Sequence, residues 1–548
     1  MSAPGRATSR FLVRAAALGL PATSARAQPA PIAPRTAGAF ARAALELPAS
    51  ALGLVAPVAL RAAGTVALAT ALLLPAGNAL AQADRSRPPD PGPARPLKMP
   101  PIERVALANG LPVVLVEMHE VPVVEVVLLV RAGATADPED REGLAHMTAE
   151  MLDEGAGGRD ALAIADAVEQ LGALLETSAS WDAASVRLRV PVSRLEQALP
   201  IMADVAIRPD FPPPELERLR AEALTELLQA RDVPGAIAGR ALALAVFGGE
   251  HRYGRPETGD ADSLGALGAE DLRRFHAERY SPASATLIVV GDVTNAALPV
   301  LEAAFGSWPR GAAAAPAAVP MPPQLDERRV WLVDKPGAAQ SAVRLGRIGP
   351  SWDDPRFHAV EVMNTLLGGS FTSRLNDNLR EQHGYAYGAG SGIQRRLTGG
   401  VFLAGADVQT DKTGPAVSEF FVELRRIATP APPEEVERAR RYTALGYAGE
   451  FETTQQVARR VVEQTLYGLH RSFFEEYVTK ALAVDAEALK QAAEAVVDPE
   501  RIALVVVGDR KEVEAQLREL DLGTVRTLSV EDVMGPPPRL GSSPGPTS

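Results

Sequence analysis

The sequence predicts an α+β protein built from two homologous domains, each an antiparallel sheet with helices on one face. The first observation is a repeat, because Asp137-Pro138 recurs as Asp354-Pro355 at an offset of 217 residues. The second is that residues 287–292 (LIVVGD) recur as residues 504–509 (LVVVGD) at the same offset. Two landmarks that share one offset indicate a duplicated domain. The third is a mixture of strand-like and helix-like patterns in each block, which favours a sheet covered by helices.

Three segments illustrate those patterns. Residues 186–190 alternate between apolar residues and Arg, as a half-buried strand does. Residues 160–171 predict a helix that ends before Gly172, with one face formed by Leu162, Ala165, Val168 and Leu171. Residues 213–230 begin with Pro-Pro-Glu and predict a longer helix.

Composition changes divide the chain into six segments. Pro-rich and Ala/Pro-rich stretches are typical of linkers, and a Gly/Pro/Ser end is typical of a disordered tail. The predicted segments are a leader with a signal peptide (1–81), a linker (82–101), a first domain (102–310), a second linker (311–325), a second domain (326–530) and a tail (531–548).

The leader carries an export signal. An apolar run at residues 62–75 follows Arg61, and Ala79-Leu80-Ala81 offers a cleavage site before Gln82. A basic residue, a short apolar run and a small-x-small site are typical of a secretory signal peptide. We therefore expect an exported, periplasmic protein, or a membrane-anchored one if the signal stays uncleaved.

Charge and cysteine content exclude several classes of function. The 548 residues contain no Cys, which excludes disulfides, Cys-ligated zinc and thiol nucleophiles. The net charge is −12, and because residues 1–81 hold seven Arg and one Glu, the remaining chain carries −18. So acidic a body is a poor partner for a phosphate backbone, and we expect no nucleic-acid binding.

The segment GLAHMTAEML, residues 143–152, contains the first candidate for chemistry. His146 and Glu150 stand four residues apart, on one face of a helix. This pair suits a zinc site, although an HxxxE spacing is equally that of a surface His–Glu pair.

Residues 102–530 resemble the pitrilysin/insulinase-type zinc peptidases, the inverzincins with an HxxEH helix, which include the mitochondrial processing peptidase and the core proteins of the bc1 complex. Many short motifs carry the resemblance, in the family's order. They are Asn109-Gly110-Leu111, Gly143-Leu144-Ala145-His146, Glu217-Arg218, residues 251–256 (HRYGRP), Tyr280-Ser281-Pro282, Gly368-Gly369-Ser370, Ser373-Arg374-Leu375, and the stretch from Leu379-Arg380 to Ala386-Tyr387.

The resemblance implies two homologous domains that face each other as a clamshell around an extended peptide. It also implies a zinc site made by two His and a downstream Glu, with a Glu as general base. In this chain His146 holds the first ligand position, Glu150 the second and Glu226, 76 residues further on, the third. The base position is Ala149, which cannot accept a proton. The metal set is thus degenerate, and zinc is doubtful in this chain, whereas we expect it in a partner subunit.

The second domain keeps a different part of the family's site. There the family uses an Arg and a Tyr seven residues apart, which bind the substrate and stabilise the oxyanion. Arg380 and Tyr387 have this spacing, and Tyr385 is the rival hydroxyl. The alternative is that Arg380 is a solvated helix residue and Tyr387 a core aromatic.

The sequence therefore predicts a non-catalytic subunit of a heterodimeric zinc peptidase, inactive alone because of Ala149. It would bind extended peptides and donate Arg380 and Tyr387 to a homologous partner that carries an intact HxxEH and the zinc. Two alternatives stay open. One is an active zinc metalloendopeptidase with an altered His146/Glu150/Glu226 site, and the other is a structural scaffold resembling the bc1 core proteins.

Overall fold

The computed structural model describes residues 92–313 and 319–539, and from Ala94 onward they belong to one compact unit. The predicted signal peptide and its cleavage site lie outside the described residues. Within those two ranges, no helix is long and apolar enough to cross a membrane.

Fourteen strands belong to the described part of the chain. They are β1 (Ile102–Ala106), β2 (Pro112–Glu117), β3 (Val123–Val130), β4 (Gly155–Ala156), β5 (Arg159–Asp160), β6 (Leu174–Ala179), β7 (Ala184–Pro191), β8 (Ala285–Gly291), β9 (Arg329–Asp334), β10 (Gln340–Gly349), β11 (Ala386–Arg395), β12 (Gly400–Gln409), β13 (Ala503–Gly508) and β14 (Val525–Leu528).

The α-helices of the described ranges are α1 (Leu144–Glu150), α2 (Ala161–Gln170), α3 (Leu195–Ile207), α4 (Pro213–Ala230), α5 (Pro234–Phe247), α6 (Ala261–Ala266), α7 (Ala269–Arg279), α8 (Leu298–Phe305), α9 (Phe357–Asn364), α10 (Arg374–Asn376), α11 (Thr413–Arg426), α12 (Pro433–Gly446), α13 (Thr454–Leu466), α14 (Phe473–Leu482), α15 (Ala486–Val496), α16 (Arg510–Glu519) and α17 (Val530–Met534).

Two six-stranded sheets reproduce the predicted duplication. The first has the order β1-β2-β8-β3-β7-β6 and the second, read from its far side, β14-β9-β13-β10-β12-β11. The landmark strands β8 and β13 hold the third place in both sheets, and the 217-residue offset also relates β3 to β10 and β7 to β12. Only the outermost strand differs, because β1 pairs antiparallel with β2 whereas β14 pairs parallel with β9. The α+β class and the two related sheets are confirmed.

The sheets are mixed rather than purely antiparallel. Most pairs are antiparallel, but β2 pairs parallel with β8, and β9 pairs parallel with β13. Each of these pairs joins strands far apart in sequence, with room for the helical crossover that a parallel connection requires. Local alternation cannot reveal such a pairing, which explains why the sequence did not predict it.

Helices cover both faces of each sheet, not one face as predicted, because the two halves exchange a helix. Helix α5 of the first half packs on β10 and β13 of the second, and helix α13 of the second half packs on β3 and β8 of the first. Each exchanged helix completes a hydrophobic cluster, with Ile237 and Ala241 of α5 beside Val505, and Val461 of α13 beside Ile288. The helix exchange thus covers one face of each sheet with a helix from the other half of the chain.

Helix α2 forms where the sequence predicted it, and its predicted buried face was right at Val168 but wrong at Leu162. Leu162 is 64% exposed, whereas Ile164 and Val168 are buried. The helix begins at Asp160, whose carboxylate accepts a hydrogen bond from the amide of Ala163 (2.8 Å). That start turns Ile164 and Val168, one helical turn apart, towards the sheet. The predicted strand at 186–190 lies in β7, and the predicted helix at 213–230 is α4.

The predicted linker and tail both contain packed residues near their borders with the second domain. Leu325, at the end of the second linker, is buried in the cluster around α5. Residues 531–534, assigned to the tail, belong to helix α17, where Val533 is buried. Helix α17 packs against α5. The low-complexity segments therefore include some residues that are packed against the second domain.

Candidate active site

Helix α1 carries the first candidate site, and a buried carboxylate holds its start. Asp137 accepts hydrogen bonds from the amides of Gly143 (2.9 Å) and Ala145 (2.7 Å), which are among the amides that a helix leaves unpaired. Gly143 has a φ of +89°, and a Cβ there would lie 2.5 Å from the carbonyl oxygen of Thr258. The GLAH segment therefore needs its glycine for both backbone conformation and space.

Asp137 is also the acid of a buried ion pair. Its carboxylate lies 2.8 Å from a guanidinium nitrogen of Arg252. Burial raises the pKa of Asp137 to about 6, although Arg252 and the two amides oppose the shift. The start of α1 is thus anchored to the Arg of the HRYGRP motif.

The predicted metal residues lie on two different helices, α1 and α4. His146 and Glu150 are half-buried on α1, each with interaction partners, and Glu226 is exposed on α4. Across residues 92–313 and 319–539, no group of three or more His, Asp or Glu side chains is placed to hold a metal ion. The residues of this chain therefore do not fit the zinc that the family resemblance implies.

Ala149, at the position of the general base, is 0% exposed. It lies on α1 among buried neighbours that include Met147 and Thr148. A methyl group in a closed environment offers neither a proton acceptor nor room for a water molecule. Nothing at this position can take the base's role.

Arg380 and Tyr387, in contrast, lie together at the surface of the second half. The guanidinium carbon of Arg380 is 4.6 Å from the ring centroid of Phe371 and 5.4 Å from that of Tyr387. Arg380 lies in a π-helical segment, Asp377–Gln382, and Tyr387 is the second residue of β11. Tyr387 is 90% exposed and Phe371 57%. We call these three residues the Arg380 cluster.

The rival hydroxyl, Tyr385, has a different environment. It is half-buried against the hydrophobic core of the second half and stacks on His383, with ring centroids 4.9 Å apart. Gly368 allows the helical turn at residues 365–369 to pack closely onto β11, because a Cβ at this position would lie 2.2 Å from the amide nitrogen of Ser391. Tyr385 is thus a packing residue, and Tyr387 presents the available hydroxyl. The sequence did not single out Phe371, although it follows the Gly-Gly-Ser motif directly.

A cage of aromatic rings around a buried arginine joins the two halves, and no pattern in the sequence predicted it. Arg396, in the turn between β11 and β12, places its guanidinium carbon 4.4 Å from the Trp181 ring, 4.3 Å from the Tyr253 ring and 5.3 Å from the Phe247 ring. All three rings belong to the first half. Asp182 accepts hydrogen bonds from the amide of Leu397 and the hydroxyl of Tyr467, both at 3.1 Å. We call these residues the Arg396 cage.

Two family models match the chain, one for each half. Residues 112–252 match the insulinase model, peptidase family M16, and residues 266–442 match the model of the peptidase M16 inactive domain. A zinc protease of Mycobacterium tuberculosis, Rv2782c, is 30% identical over 314 residues, which cover 56% of this chain and 70% of that protein. The chain belongs to peptidase family M16.

Other M16 relatives are more distant or are matched over a shorter length. The zinc protease YmxG of Bacillus subtilis is 24% identical over 390 residues, or 70% of this chain and 93% of that one. The zinc protease SCO5738 of Streptomyces coelicolor is 28% identical over 293 residues, and the chain spans 63% of its length.

Solved M16 structures share the fold. An M16 inactive domain from Pseudomonas fluorescens has a TM-score of 0.70 and 26% identity, and the match covers 74% of this chain and 98% of that one. A protease from Helicobacter pylori has a TM-score of 0.69 and 21% identity, with coverage of 75% and 100%. These neighbours are two-domain clamshells, so the predicted fold class is confirmed.

Proposed function

We propose that this M16 chain is the non-catalytic subunit of an exported, heterodimeric zinc peptidase. It binds an extended peptide and donates Arg380 and Tyr387 to the active site of a homologous partner. The partner carries the intact HxxEH helix with its zinc, and the peptide bond is cleaved there.

The observation that carries the proposal is the closed position of Ala149. Hydrolysis by a metallopeptidase needs a held metal and a group that accepts the water's proton. Ala149 is fully buried, and no three-ligand group exists within the described residues. A general base alone contributes about 10²–10⁴-fold to such a rate. These two observations support a chain that by itself lacks both parts of the chemistry.

The Arg380 cluster supports the second part of the proposal. Tyr387 is exposed, so binding a ligand would break few of its packing contacts. The ring of Tyr387 instead contacts the Arg380 guanidinium, whose Nε lies 3.3 Å from Oε1 of Glu381 and whose two amino groups lie at the surface. A guanidinium and a phenol hydroxyl are donors suited to a carbonyl that becomes an oxyanion.

The edge of the first sheet supports peptide binding. Among the described strands β6 pairs only with β7, so its other edge has no strand partner, and α1 packs against β6. An extended peptide can add to such an edge through backbone hydrogen bonds that do not depend on its sequence.

Export is proposed from the sequence of the leader. N-terminal sequencing of the secreted protein is expected to give a mature chain that begins near Gln82. If the chain instead retains residues 62–75 and sediments with membranes, the leader is a membrane anchor and not a cleaved signal peptide.

Reconstitution tests the proposal as a whole. The purified chain is expected to leave quenched fluorescent peptides intact, whereas its mixture with an HxxEH homologue is expected to cleave them in a chelator-sensitive way. Chelator-sensitive turnover by the chain alone would instead favour the altered-site metalloendopeptidase, the alternative in keeping with the names of the zinc-protease relatives. A stable complex without any turnover would favour the scaffold.

A further inference from the structure

The structure contains a pocket that the peptidase site does not use. It lies between the outer strands of the first sheet, β1, β2 and β8, and the loop that follows helix α13. Its volume is about 540 Å³, within the range of small-molecule sites. Val105, Val113 and Leu469 supply apolar walls.

Two arginines face this pocket, and their charges are uncompensated. Arg104 lies on β1 and Arg471 in the loop after α13. Both side chains are exposed, and neither is paired with a carboxylate within residues 92–313 and 319–539. The two guanidiniums are close enough for the charge of Arg471 to help burial lower the pKa of Arg104. Two converging cations repel each other, and an anion between them removes that repulsion.

The guanidinium of Arg104 is held in place by a buried amide. It donates a hydrogen bond to Oε1 of Gln464 (2.9 Å), and the Gln464 side chain in turn donates to the carbonyl of His470 (3.2 Å). The carbonyls of Thr465 and Leu466, at the end of α13, accept hydrogen bonds from Arg131 (both 3.2 Å). Arg131, and not an arginine of the pocket, is their donor. Arg104 uses one amino group for Gln464, so its other N–H groups remain for a ligand.

A second surface pocket, of about 620 Å³ beside α16, shows the opposite arrangement. There Glu514 lies 2.6 Å from both Arg510 and Arg518. Two of the three cations of that pocket are thus paired within the protein, in a chain whose net charge is −12. Arg518 is therefore a matched control for Arg104 and Arg471.

We propose that the pocket at Arg104 and Arg471 binds a small organic anion, with its carboxylate or phosphate head between the two guanidiniums and its apolar body against Val105, Val113 and Leu469. Guanidiniums recognise both heads, because their N–H groups match paired oxygens. This site is independent of the proposed peptidase function.

Calorimetric titration of the full mature chain tests the site with four probes. Hexanoate and hexyl phosphate carry a head and a body, inorganic phosphate the head alone, and hexan-1-ol the body alone. We expect saturable one-to-one binding of at least one of the two amphiphilic anions, weaker binding of inorganic phosphate and none of hexan-1-ol. The tighter of the two amphiphiles identifies the head as carboxylate or phosphate.

Substitutions locate the binding. Arg104→Gln and Arg471→Gln are each expected to raise the dissociation constant by about tenfold or more, because each removes a charged hydrogen bond. Arg518→Gln should leave the dissociation constant unchanged. If Arg104→Gln fails to fold, as circular dichroism would show, Arg471→Gln in the exposed loop decides alone. Failure of both amphiphilic anions to bind, or equal losses in all three variants, would overturn the proposal.

Discussion

The guanidinium carbon of Arg396 lies 4.3 Å from the centroid of the Tyr253 ring, although the two residues belong to different halves of the chain. Both side chains are buried, and Trp181 and Phe247 complete the Arg396 cage. Burial lowers the pKa of Arg396. The contact is thus between a desolvated cation and aromatic rings, and the carboxyl groups of Glu257 and Asp182 oppose the lowering of the pKa of Arg396.

Removing that cation is expected to destabilise the whole chain. A desolvated cation–π contact contributes about 2 kcal/mol or more, whereas an exposed one contributes about 0.5–1 kcal/mol. We expect Arg396→Ala to lower the free energy of unfolding by at least about 2 kcal/mol, measured by urea denaturation. Arg425→Ala is the control, because Arg425 lies over Phe421 (5.7 Å) but is exposed. Equal effects of the two substitutions would contradict the role of the cage.

Glu125, in the middle of β3, makes stability depend on pH. Its side chain is fully buried, neither carboxylate oxygen accepts a hydrogen bond within the described residues, and Nε of Arg187 lies 3.5 Å away. Burial raises the pKa of Glu125 to about 7. The native state therefore holds a proton that the unfolded chain has already released, and the free energy of unfolding falls as the pH rises from about 4.5 to about 7.

Glu125→Gln removes this penalty. We expect the variant to be more stable than wild type at pH 8, by up to about 3 kcal/mol, and to lose most of that advantage near pH 4.5. Urea denaturation at both pH values measures the difference. Glu196→Gln, at an exposed position on α3, is the control and should give the same small change at either pH. A gain for Glu125→Gln that does not vary with pH would mean that its carboxylate does not titrate as described.

Ala149→Glu tests whether the base position is closed. Because Ala149 is fully buried, a carboxylate there would be an uncompensated buried charge, for which the cost is about 3 kcal/mol or more. The same substitution at Ala163, which is exposed on α2, is expected to change stability by less than about 0.5 kcal/mol. A stable Ala149→Glu protein would show that solvent reaches this side of α1.

Glu150→His tests whether α1 can still hold metal. It places a second imidazole four residues after His146, on the half-buried face of the helix. We expect zinc affinity to rise relative to wild type, as measured by calorimetry against a competing chelator, because two neutral imidazoles bind zinc better than one imidazole and a carboxylate. The gain should vanish in His146→Ala/Glu150→His. A gain that survives the loss of His146 would place the zinc elsewhere.

Arg380→Ala and Tyr387→Phe test the donation of catalytic groups in the reconstituted complex. Each is expected to lower kcat by about 10²–10³-fold, the effect of losing one oxyanion donor, while assembly stays intact. The loss should fall on kcat more than on KM, because the donors meet charge that develops in the transition state. Tyr385→Phe, in the packed ring beside His383, is the control and should change neither constant. Wild-type kcat in both test variants would leave the chain a scaffold.

The sequence predicted the features that repeat and missed those that depend on distant pairs. The 217-residue offset correctly identified β8 and β13 as equivalent strands, because duplicated domains bury the same strand. The spacing of Arg380 and Tyr387 correctly grouped two residues, because a π-helical turn and the start of β11 bring them together. The Arg396 cage, in contrast, joins residues more than 140 positions apart, and no local period marks them.

The sequence also failed to predict burial where burial depends on how a helix packs against neighbouring elements. The exposed Leu162 and the closed Ala149 both depend on the way in which a helix packs, which its own periodicity does not state. The same holds for the three predicted metal residues. Spacing places His146 and Glu150 on one helix, but it cannot predict the distance from them to Glu226, which lies on another helix.

The exchange of α5 and α13 has a consequence for the origin of the chain. A polypeptide of half the length, with one sheet and one such helix, would leave a sheet face bare and its helix without a surface. Two identical copies would solve both problems at once, each lending its helix to the other around a twofold axis, as symmetric dimers do. Joining two copies end to end would keep every one of those contacts. The arrangement is therefore the one that the fusion of two copies of a helix-swapped homodimer would produce.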